Sequence, residues 1–338
     1  PLFIFQFFYF KFCQSVDISH SSERFLPALY SLFFLFGLLG NLLVIWVIVF
    51  GTRLRSMTDV CLLNLALADL LLVCSFPFMA PQPSDQWAFG DAMCKMVLGV
   101  FNIFYCGIFF ISLMSIDRYL AVVHAVYTIR ARTRSLGITA AVVVWIAGFL
   151  ASFPDLLFLK LQKVSSDFYC FPEYPKDTVN TSSHYWSVFS LFKMNILGLF
   201  LPLVIMLFCY SQIIWRLYHS HSSKKQAIRL VLIVVTVFLF CWIPYNITSF
   251  FKALELLGIY GTCDFSKGIT LSLEITESIA YSHSCLNPIL YVFVGEKFRR
   301  HLFRMINKIP CRICQVVRVC LPQDRIHGSV YSQTTSLD

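Results

Sequence analysis

A single carboxylate lies in the middle of a long apolar stretch of the sequence. Asp69 is the only charged residue within 60–80, and Asn64 lies a little upstream of it. Two more amide side chains, Asn41 and Asn287, lie within other apolar stretches. Because a charge in apolar surroundings is costly, these side chains predict a polar, hydrated centre with a functional role. The alternative is a hydrogen-bonded network that only fixes how the surrounding elements pack.

An acidic and a basic residue are adjacent in Asp117-Arg118-Tyr119, directly after another apolar stretch. Side by side at the end of a helix, in partly dry surroundings, they are expected to form a neutral ion pair. Breaking that pair would free the guanidinium group of Arg118. This group stays charged and offers a planar fork of donors to a protein partner.

A further acid, Glu277, directly precedes the last apolar stretch. No Lys or Arg lies within that stretch, so a cationic group of a ligand is the predicted partner of Glu277. The alternative is a carboxylate at a helix end that faces water.

Seven apolar stretches are long enough to position these groups inside a lipid bilayer. A bilayer core about 30 Å thick needs roughly 20 apolar residues in a helix. The seven stretches are Phe25–Phe50, Val60–Ala80, Met96–Ile116, Leu136–Pro154, Met194–Trp215, Leu230–Phe251 and Ser278–Gly295. The short alternating segments of membrane β-barrels do not occur in the sequence. We therefore predict an all-α membrane protein with a seven-transmembrane helix bundle over residues 25–294.

The composition agrees with this fold class. Hydrophobic residues make up 58% of the 338 residues, and charged residues make up 13%, against about 25% in a typical soluble domain. This excludes a soluble globular enzyme, a disordered protein and a small disulfide-rich secreted domain.

The basic residues predict the orientation of the chain. With the N-terminus outside, 18 of the 27 Lys and Arg lie on the cytoplasmic side, while the outer side has nine of them and twelve acids. Residues 1–24 are then extracellular and residues 310–338 form a cytoplasmic tail. Between bundle and tail, residues 295–309 predict a short amphipathic eighth helix on the inner leaflet, with Phe298 and Leu302 among the side chains that face lipid.

Four of the 13 cysteines lie on the predicted outer side. An even number in an oxidising compartment predicts two disulfides, with four free thiols as the alternative. Cys94, at the start of the third span, is paired with Cys170 in the second outer loop, so that the bridge pins this loop over the mouth of the bundle. Cys13 and Cys263 remain as the second pair.

Three kinds of modification are predicted outside the bundle. Asn180-Thr181-Ser182 is a glycan acceptor pattern in the second outer loop. Three cysteines after the eighth helix favour palmitoylation over a zinc site, which would need a fourth ligand: Cys311, Cys314 and Cys320. The tail hydroxyls predicted as phosphorylation sites are Ser329, Ser332, Thr334, Thr335 and Ser336. A plain solvated tail is the alternative.

Short motifs occur once per span, in the order found in the rhodopsin-like G-protein-coupled receptors, which the chain resembles. They are Asn41, Leu65–Asp69, Asp117–Tyr119, Trp145, Pro202, Cys241–Pro244 and Asn287–Tyr291. Within that class the chain is similar to the CC-type chemokine receptors, in their type 4 and type 8 branch. The segments that carry this likeness are Ser75–Pro77, Asp117–Val126, Arg130–Thr133, Pro244–Asn246, His283–Pro288 and Gly295–Arg300, together with the extra outer cysteine pair.

The resemblance implies roles for residues at matching positions. Tyr30, Glu277 and Tyr281 would line the pocket that receives the flexible N-terminus of a chemokine, with Glu277 meeting its ammonium group. Trp242 would form the floor of this pocket and move on activation. The residues of the switch would be Asp69, Asp117, Arg118, Tyr210, Trp242, Asn287 and Tyr291.

The resemblance also implies the function. A CC chemokine would bind outside, and a heterotrimeric G protein of the inhibitory type would be activated inside, driving calcium release and chemotaxis from the plasma membrane. Arrestin and receptor kinases would act on the tail, and neither a cofactor, a metal nor nucleic acid is expected. A chemokine scavenger is disfavoured by the intact Asp117-Arg118-Tyr119, and a transporter or channel by the single carboxylate in mid-span. Enzyme motifs are not found in the sequence.

The sequence departs from the family pattern in three places. Met79 stands where the family usually has a Trp, which changes the minor part of the pocket. Gly107 and His283 stand where related receptors often carry polar groups of a sodium site at Asp69. Residues 1–12 are aromatic and apolar rather than acidic and tyrosine-rich, so we expect them to come from a fragment or an incorrectly assigned first exon.

Overall fold

The computed structural model describes residues 19–52, 54–79, 87, 89–102, 104–124, 132–164, 167–173, 181–219, 225–259, 263–294 and 296–308. The helices are α1 (Ser19–Trp46), α2 (Met57–Met79), α3 (Gly90–Asn102), α4 (Phe104–Val123), α5 (Arg134–Leu157), α6 (Thr181–Asn195), α7 (Leu201–Tyr218), α8 (Lys225–Leu256), α9 (Cys263–Val294) and α10 (Glu296–Lys308). The strands are β1 (Leu159–Val164) and β2 (Asp167–Pro172). A π-helical segment, Val47–Thr52, extends α1, and another, Ile196–Phe200, joins α6 to α7.

Six segments of the described chain are long and apolar enough to cross a bilayer. They are Pro27–Thr52, Met57–Met79, Gly90–Val123, Arg134–Phe153, Tyr185–Tyr218 and Ile233–Leu256. The predicted seventh span lies in α9, which has 32 residues but is more polar. Its Glu277 and Asn287 are buried against other helices. A helix that keeps its polar groups inside the bundle can cross lipid with fewer apolar residues than a lone helix needs.

Several helices extend beyond the predicted spans. The seventh was predicted to begin at Ser278, whereas α9 begins at Cys263. The charge-free run of residues begins only after Glu277, but a carboxylate that faces the interior of the bundle does not end a helix. The helix that carries the fifth span likewise begins at Thr181, well before the predicted Met194.

The helices pack around a shared aromatic and aliphatic interior. α1 packs against α2 and α9, α9 packs against α8, and α4 packs against α2, α5 and α7. Fully buried side chains such as Phe76, Phe110 and Phe238 fill the centre, while large apolar side chains such as Phe36 and Phe240 are exposed on the outside. An exposed apolar exterior is what helices surrounded by lipid require.

An antiparallel hairpin, which the sequence reasoning did not predict, forms between α5 and α6. Strand β1 pairs with β2 from Leu159 opposite Pro172 to Val164 opposite Asp167. Cys170 of β2 forms the predicted disulfide with Cys94 of α3, with 5.6 Å between their Cα atoms. The bridge therefore ties the second outer loop to the start of the third span.

The eighth helix is present, but two of the apolar side chains predicted to face lipid, Phe298 and Leu302, are buried against protein. Phe298 and Leu302 of α10 are buried in a cluster with Val44, Val47 and Ile48 of the first span. The apolar face of a short helix can be buried against protein as well as against lipid. Here the inner end of the first span provides the protein surface.

Helices α4 and α5 approach each other closely at Gly148. A Cβ atom at Gly148 would lie 2.1 Å from the sulfur of Cys106 and 3.2 Å from its backbone nitrogen. A side chain at this position would therefore push the two helices apart or displace the sulfur.

We expect Gly148→Ala to lower the free energy of unfolding by about 2 kcal/mol through overpacking. Gly268→Ala is the matched control, because this helical glycine has nothing within 4 Å of its Cβ position. Adding Cys106→Ala to Gly148→Ala should recover part of the loss. Thermal unfolding of the purified protein in detergent measures all three variants, and equal stability of the two single glycine variants would contradict the prediction.

Candidate functional site

The three predicted pocket residues come together in the outer half of the bundle around one ring. The ring of Phe76 lies 5.5 Å from the ring of Tyr30 and 6.1 Å from the ring of Tyr281. The hydroxyl of Tyr281 donates a hydrogen bond to the carboxylate of Glu277. The hydroxyl of Ser278 lies 3.5 Å from the hydroxyl of Tyr30. Helices α1, α2 and α9 thus build a cup of tyrosines around Glu277.

Glu277 is buried, with 2% of its surface exposed. The alternative of a carboxylate at a helix end facing water is therefore wrong. Within the described part of the chain it forms no ion pair, and the hydroxyl of Tyr281 is its hydrogen-bond donor. A buried carboxylate beside phenols creates a site where a cation is strongly favoured, because few other charges screen the attraction.

The indole of Trp242 lies among aromatic rings deeper in the bundle. Its ring is 6.2 Å from Phe104, 6.3 Å from Phe238 and 6.4 Å from Tyr245. Its Nε1 atom has no hydrogen-bond partner among the described residues. Ring contacts rather than a hydrogen bond therefore set the position of this indole, which is the predicted floor of the pocket.

Of the polar groups predicted for the centre of the bundle, only one amide reaches the central carboxylate. The amide of Asn287 donates to Asp69 at 2.8 Å. Asn41 instead donates to the backbone carbonyl of Ser284 at 3.0 Å, and Asn64 accepts from the indole of Trp145 at 2.9 Å. The predicted polar centre is therefore divided, with Asp69 and Asn287 as one buried hydrogen-bonded pair.

The glycine at position 107 borders this pair. A Cβ atom at Gly107 would lie 3.7 Å from an oxygen of Asp69. The departure from the family pattern therefore lies next to the carboxylate, where the side chain of another residue type would reach it.

The predicted ion pair between Asp117 and Arg118 is replaced by another. Arg132 donates to one oxygen of Asp117 from Nε at 2.9 Å and from Nη2 at 2.7 Å. Thr58 donates to the other oxygen at 2.6 Å and accepts from Arg132 at 3.0 Å. The Asp117 side chain is 1% exposed. Adjacent helix residues point in different directions, so a residue just before α5 reaches Asp117 better than its neighbour does.

Arg118 is consequently exposed and forms no ion pair within the described residues. Two other predicted switch residues contact the same helix: the Tyr210 hydroxyl accepts a hydrogen bond from Ser115 at 3.1 Å, and the Tyr291 hydroxyl contacts the sulfur of Met114 at 3.9 Å. Tyr210 of α7 and Tyr291 of α9 thus meet α4 about one turn before Arg118.

Two buried ion pairs were missed, because their charges were assigned to the outer surface. Lys193 lies 2.5 Å from Asp155, and Lys252 lies 2.9 Å from Glu255, with every side chain less than a tenth exposed. A charge inside an otherwise apolar helical stretch, such as Lys193 in Leu191–Met194, is the sequence signal that could have indicated burial.

Several predicted positions lie outside the described residues. They are Cys13 of the second disulfide, the glycan acceptor Asn180, the palmitoylation candidates Cys311, Cys314 and Cys320, and the tail hydroxyls Ser329, Ser332, Thr334, Thr335 and Ser336. Those assignments stay predictions.

Comparison with known proteins places this arrangement in a family. Residues 40–291 match the family model of the 7 transmembrane receptor (rhodopsin family). The chain belongs to this receptor family. It is 44% identical over 332 residues to the human C-C chemokine receptor type 4, and 42% identical over 326 residues to the human C-C chemokine receptor type 8. Each alignment covers 96% of this chain and 90% of the relative.

Family membership decides several sequence predictions. The resemblance to rhodopsin-like receptors of the CC chemokine branch is confirmed, and so is the seven-helix membrane fold. The chain is a receptor rather than an enzyme, and a protein that crosses the plasma membrane several times.

The inner cluster of Asp117, Arg132 and Thr58 yields a prediction. Arg132→Ala leaves a buried carboxylate without its cation, and since the Arg132 side chain is 24% exposed, we expect a loss of about 2 kcal/mol rather than the full cost of a buried pair. The carboxylate of Asp117 should then turn toward Arg118. Because the guanidinium of Arg118 is then less free to meet a G protein, we expect nucleotide exchange by that G protein to fall. The double variant Arg132→Ala with Asp117→Asn should restore stability.

Thermal unfolding and nucleotide exchange in reconstituted membranes measure these effects. Arg134→Ala removes an exposed arginine two residues away and serves as the control. If Arg132→Ala behaves like Arg134→Ala in both measurements, Arg132 is not the partner that Asp117 needs.

Proposed function

We propose that this chain is a chemokine receptor that binds a CC-type chemokine at its outer face and activates an inhibitory-type heterotrimeric G protein at its inner face. Calcium release and chemotaxis are the proposed cellular responses, and arrestin and receptor kinases are proposed partners of the tail. The family membership and the two human relatives support the class of ligand.

The observation that carries the proposal is the buried carboxylate of Glu277. A flexible chemokine N-terminus ends in an ammonium group, which is the cation that this carboxylate would bind. The ring of Tyr281, whose hydroxyl donates to this acid, packs with the rings of Phe76 and Tyr30, and such aromatic faces attract a cation. A ligand group bound in this cup would touch α1, α2 and α9 together.

The proposed orientation places the N-terminus outside the cell. The disulfide between Cys94 and Cys170 supports it, because such a bond persists in an oxidising compartment. The same orientation puts the exposed Arg118 on the cytoplasmic side, where a G protein would meet it.

The mechanism is a shift between two arrangements of the bundle. A ligand shifts this equilibrium only if it binds the active arrangement better than the resting one. Moving the population from 1:99 to 99:1 requires about 5.5 kcal/mol of differential binding. Contacts of the ligand with Glu277, Tyr30 and Tyr281 inside the bundle are the ones proposed to differ between the two arrangements.

Glu277→Gln should lower the potency of chemokine activation about tenfold or more, since it removes the charge that holds the ammonium group. Binding of the folded chemokine domain to the outer loops should weaken much less. Calcium release and radioligand binding in cells that express the chain measure the two effects. Glu274→Gln, a partly exposed acid on the same helix, is the control, and an equal loss of binding and activation would count against the pocket role.

Arg118→Ala should abolish chemokine-stimulated nucleotide exchange while surface expression is retained, because the exposed guanidinium is the proposed contact for the G protein. The measurement is guanine nucleotide exchange in membranes, with surface level determined in parallel. Undiminished exchange would overturn the switch assignment. Internalisation of chemokine without exchange in the unmodified chain would instead favour a scavenger.

A further inference from the structure

One buried ion pair joins three helices in the outer half of the bundle. The ammonium group of Lys193 on α6 lies 2.5 Å from a carboxylate oxygen of Asp155 on α5. The second carboxylate oxygen accepts a hydrogen bond from Ser190 at 3.0 Å. The same ammonium group lies 5.6 Å from the centre of the Tyr105 ring on α4. A single cation thus contacts both a carboxylate and an aromatic face.

From Tyr105 a stack of rings leads to the indole of Trp242. The rings of Tyr105 and Phe104 are stacked 4.3 Å apart with an interplanar angle of 26°. Phe104 in turn lies 6.2 Å from Trp242 at an angle of 19°. Tyr105 and Trp242 therefore both contact Phe104, so the position of Phe104 depends on the rings on either side of it.

The indole itself has no hydrogen bond to resist such a displacement. Its Nε1 atom is without a partner among the described residues, so its position depends on the surrounding rings. Tyr245, one turn away on α8, is one of these rings and lies 6.4 Å from the indole. The contacts that lead from Lys193 through Tyr105 and Phe104 therefore end at an indole that ring packing holds in place.

We propose that Lys193 is a positioning residue for the activation switch: paired with Asp155, its ammonium group fixes Tyr105 and thereby holds Phe104 against Trp242. Loss of the ammonium group releases the ring stack, and Trp242 leaves its resting position more easily. This inference rests on the proposed function only where it concerns G-protein activation. The proposed effect of Lys193 on the position of the Trp242 indole does not depend on any ligand or G protein.

The first test measures the indole directly and requires neither chemokine nor G protein. The full chain, labelled with 5-fluorotryptophan and purified in lipid nanodiscs, contains six tryptophans. The fluorine resonance that disappears in Trp242→Phe is assigned to Trp242. Lys193→Met and Tyr105→Leu should each shift or broaden this resonance, whereas Lys193→Arg and Tyr105→Phe should keep it near its original position.

A second buried ion pair supplies the matched control. Lys252 and Glu255 are 2.9 Å apart and as deeply buried as Lys193 and Asp155. The double variant Lys252→Met with Glu255→Gln removes both charges and should leave the Trp242 resonance unchanged. Asp155→Asn with Lys193→Met removes both charges of the proposed pair and should shift it, although no unpaired charge remains in the interior.

Exchanging the two charges separates positioning from mere stabilisation. Asp155→Lys with Lys193→Asp keeps an ion pair between α5 and α6 but attaches the ammonium group to α5 instead of α6. If the ion pair only holds α5 and α6 together, this exchange restores the original Trp242 resonance. If Lys193 acts through Tyr105, the resonance stays shifted. Rescue by the exchanged pair, or an unshifted resonance in Lys193→Met, would overturn the proposal.

A second test measures nucleotide exchange by the G protein in the absence of ligand, which reports whether the variants activate the receptor. We expect Lys193→Met and Tyr105→Leu each to raise ligand-independent exchange about fivefold, and the combined variant to show no further increase because both act on one contact. If the unmodified chain activates no G protein, the proposed function fails, while the fluorine measurement still decides the role of Lys193.

Discussion

A charge buried in a helix bundle that lies in lipid has to find its counter-group inside the protein. Neither the lipid nor the apolar core offers hydrogen bonds, so each buried ionic side chain fixes which helices lie beside it. Asp117 joins α4 to Arg132 before α5 and to Thr58 on α2. Lys193 joins α6 to α5, and Lys252 lies with Glu255 and Thr270 between α8 and α9.

Two carboxylates in the described bundle stand apart from this pattern. Asp69 is held by the neutral amide of Asn287, and Glu277 by the phenol of Tyr281. Both are buried, and neither has a cation among the described residues. The buried basic side chains of the described bundle pair with other acids, and these two acids have only neutral hydrogen-bond donors. Such an acid can still bind a cation that arrives from outside.

A group of aromatic rings holds the indole of Trp242 in the interior of the bundle. Phe104, Phe238 and Tyr245 lie 6.2–6.4 Å from it, and its Nε1 atom has no hydrogen-bond partner among the described residues. Packed rings respond to pressure by sliding or rotating as units, since a close-packed interior has few voids to absorb a displacement. Asp117 pairs with Arg132 rather than with the adjacent Arg118, which is exposed.

The sequence by itself determined the number and order of the membrane spans and the disulfide between Cys94 and Cys170. Hydropathy, cysteine position and motif order are local properties of the chain, and lipid imposes a helix on every long apolar run. Only the tertiary structure decided which charges pair. Arg132 rather than Arg118 meets Asp117, and Lys193 lies inside rather than on the surface, because the rotation of each helix about its axis, which no single stretch specifies, chooses the neighbours of a side chain.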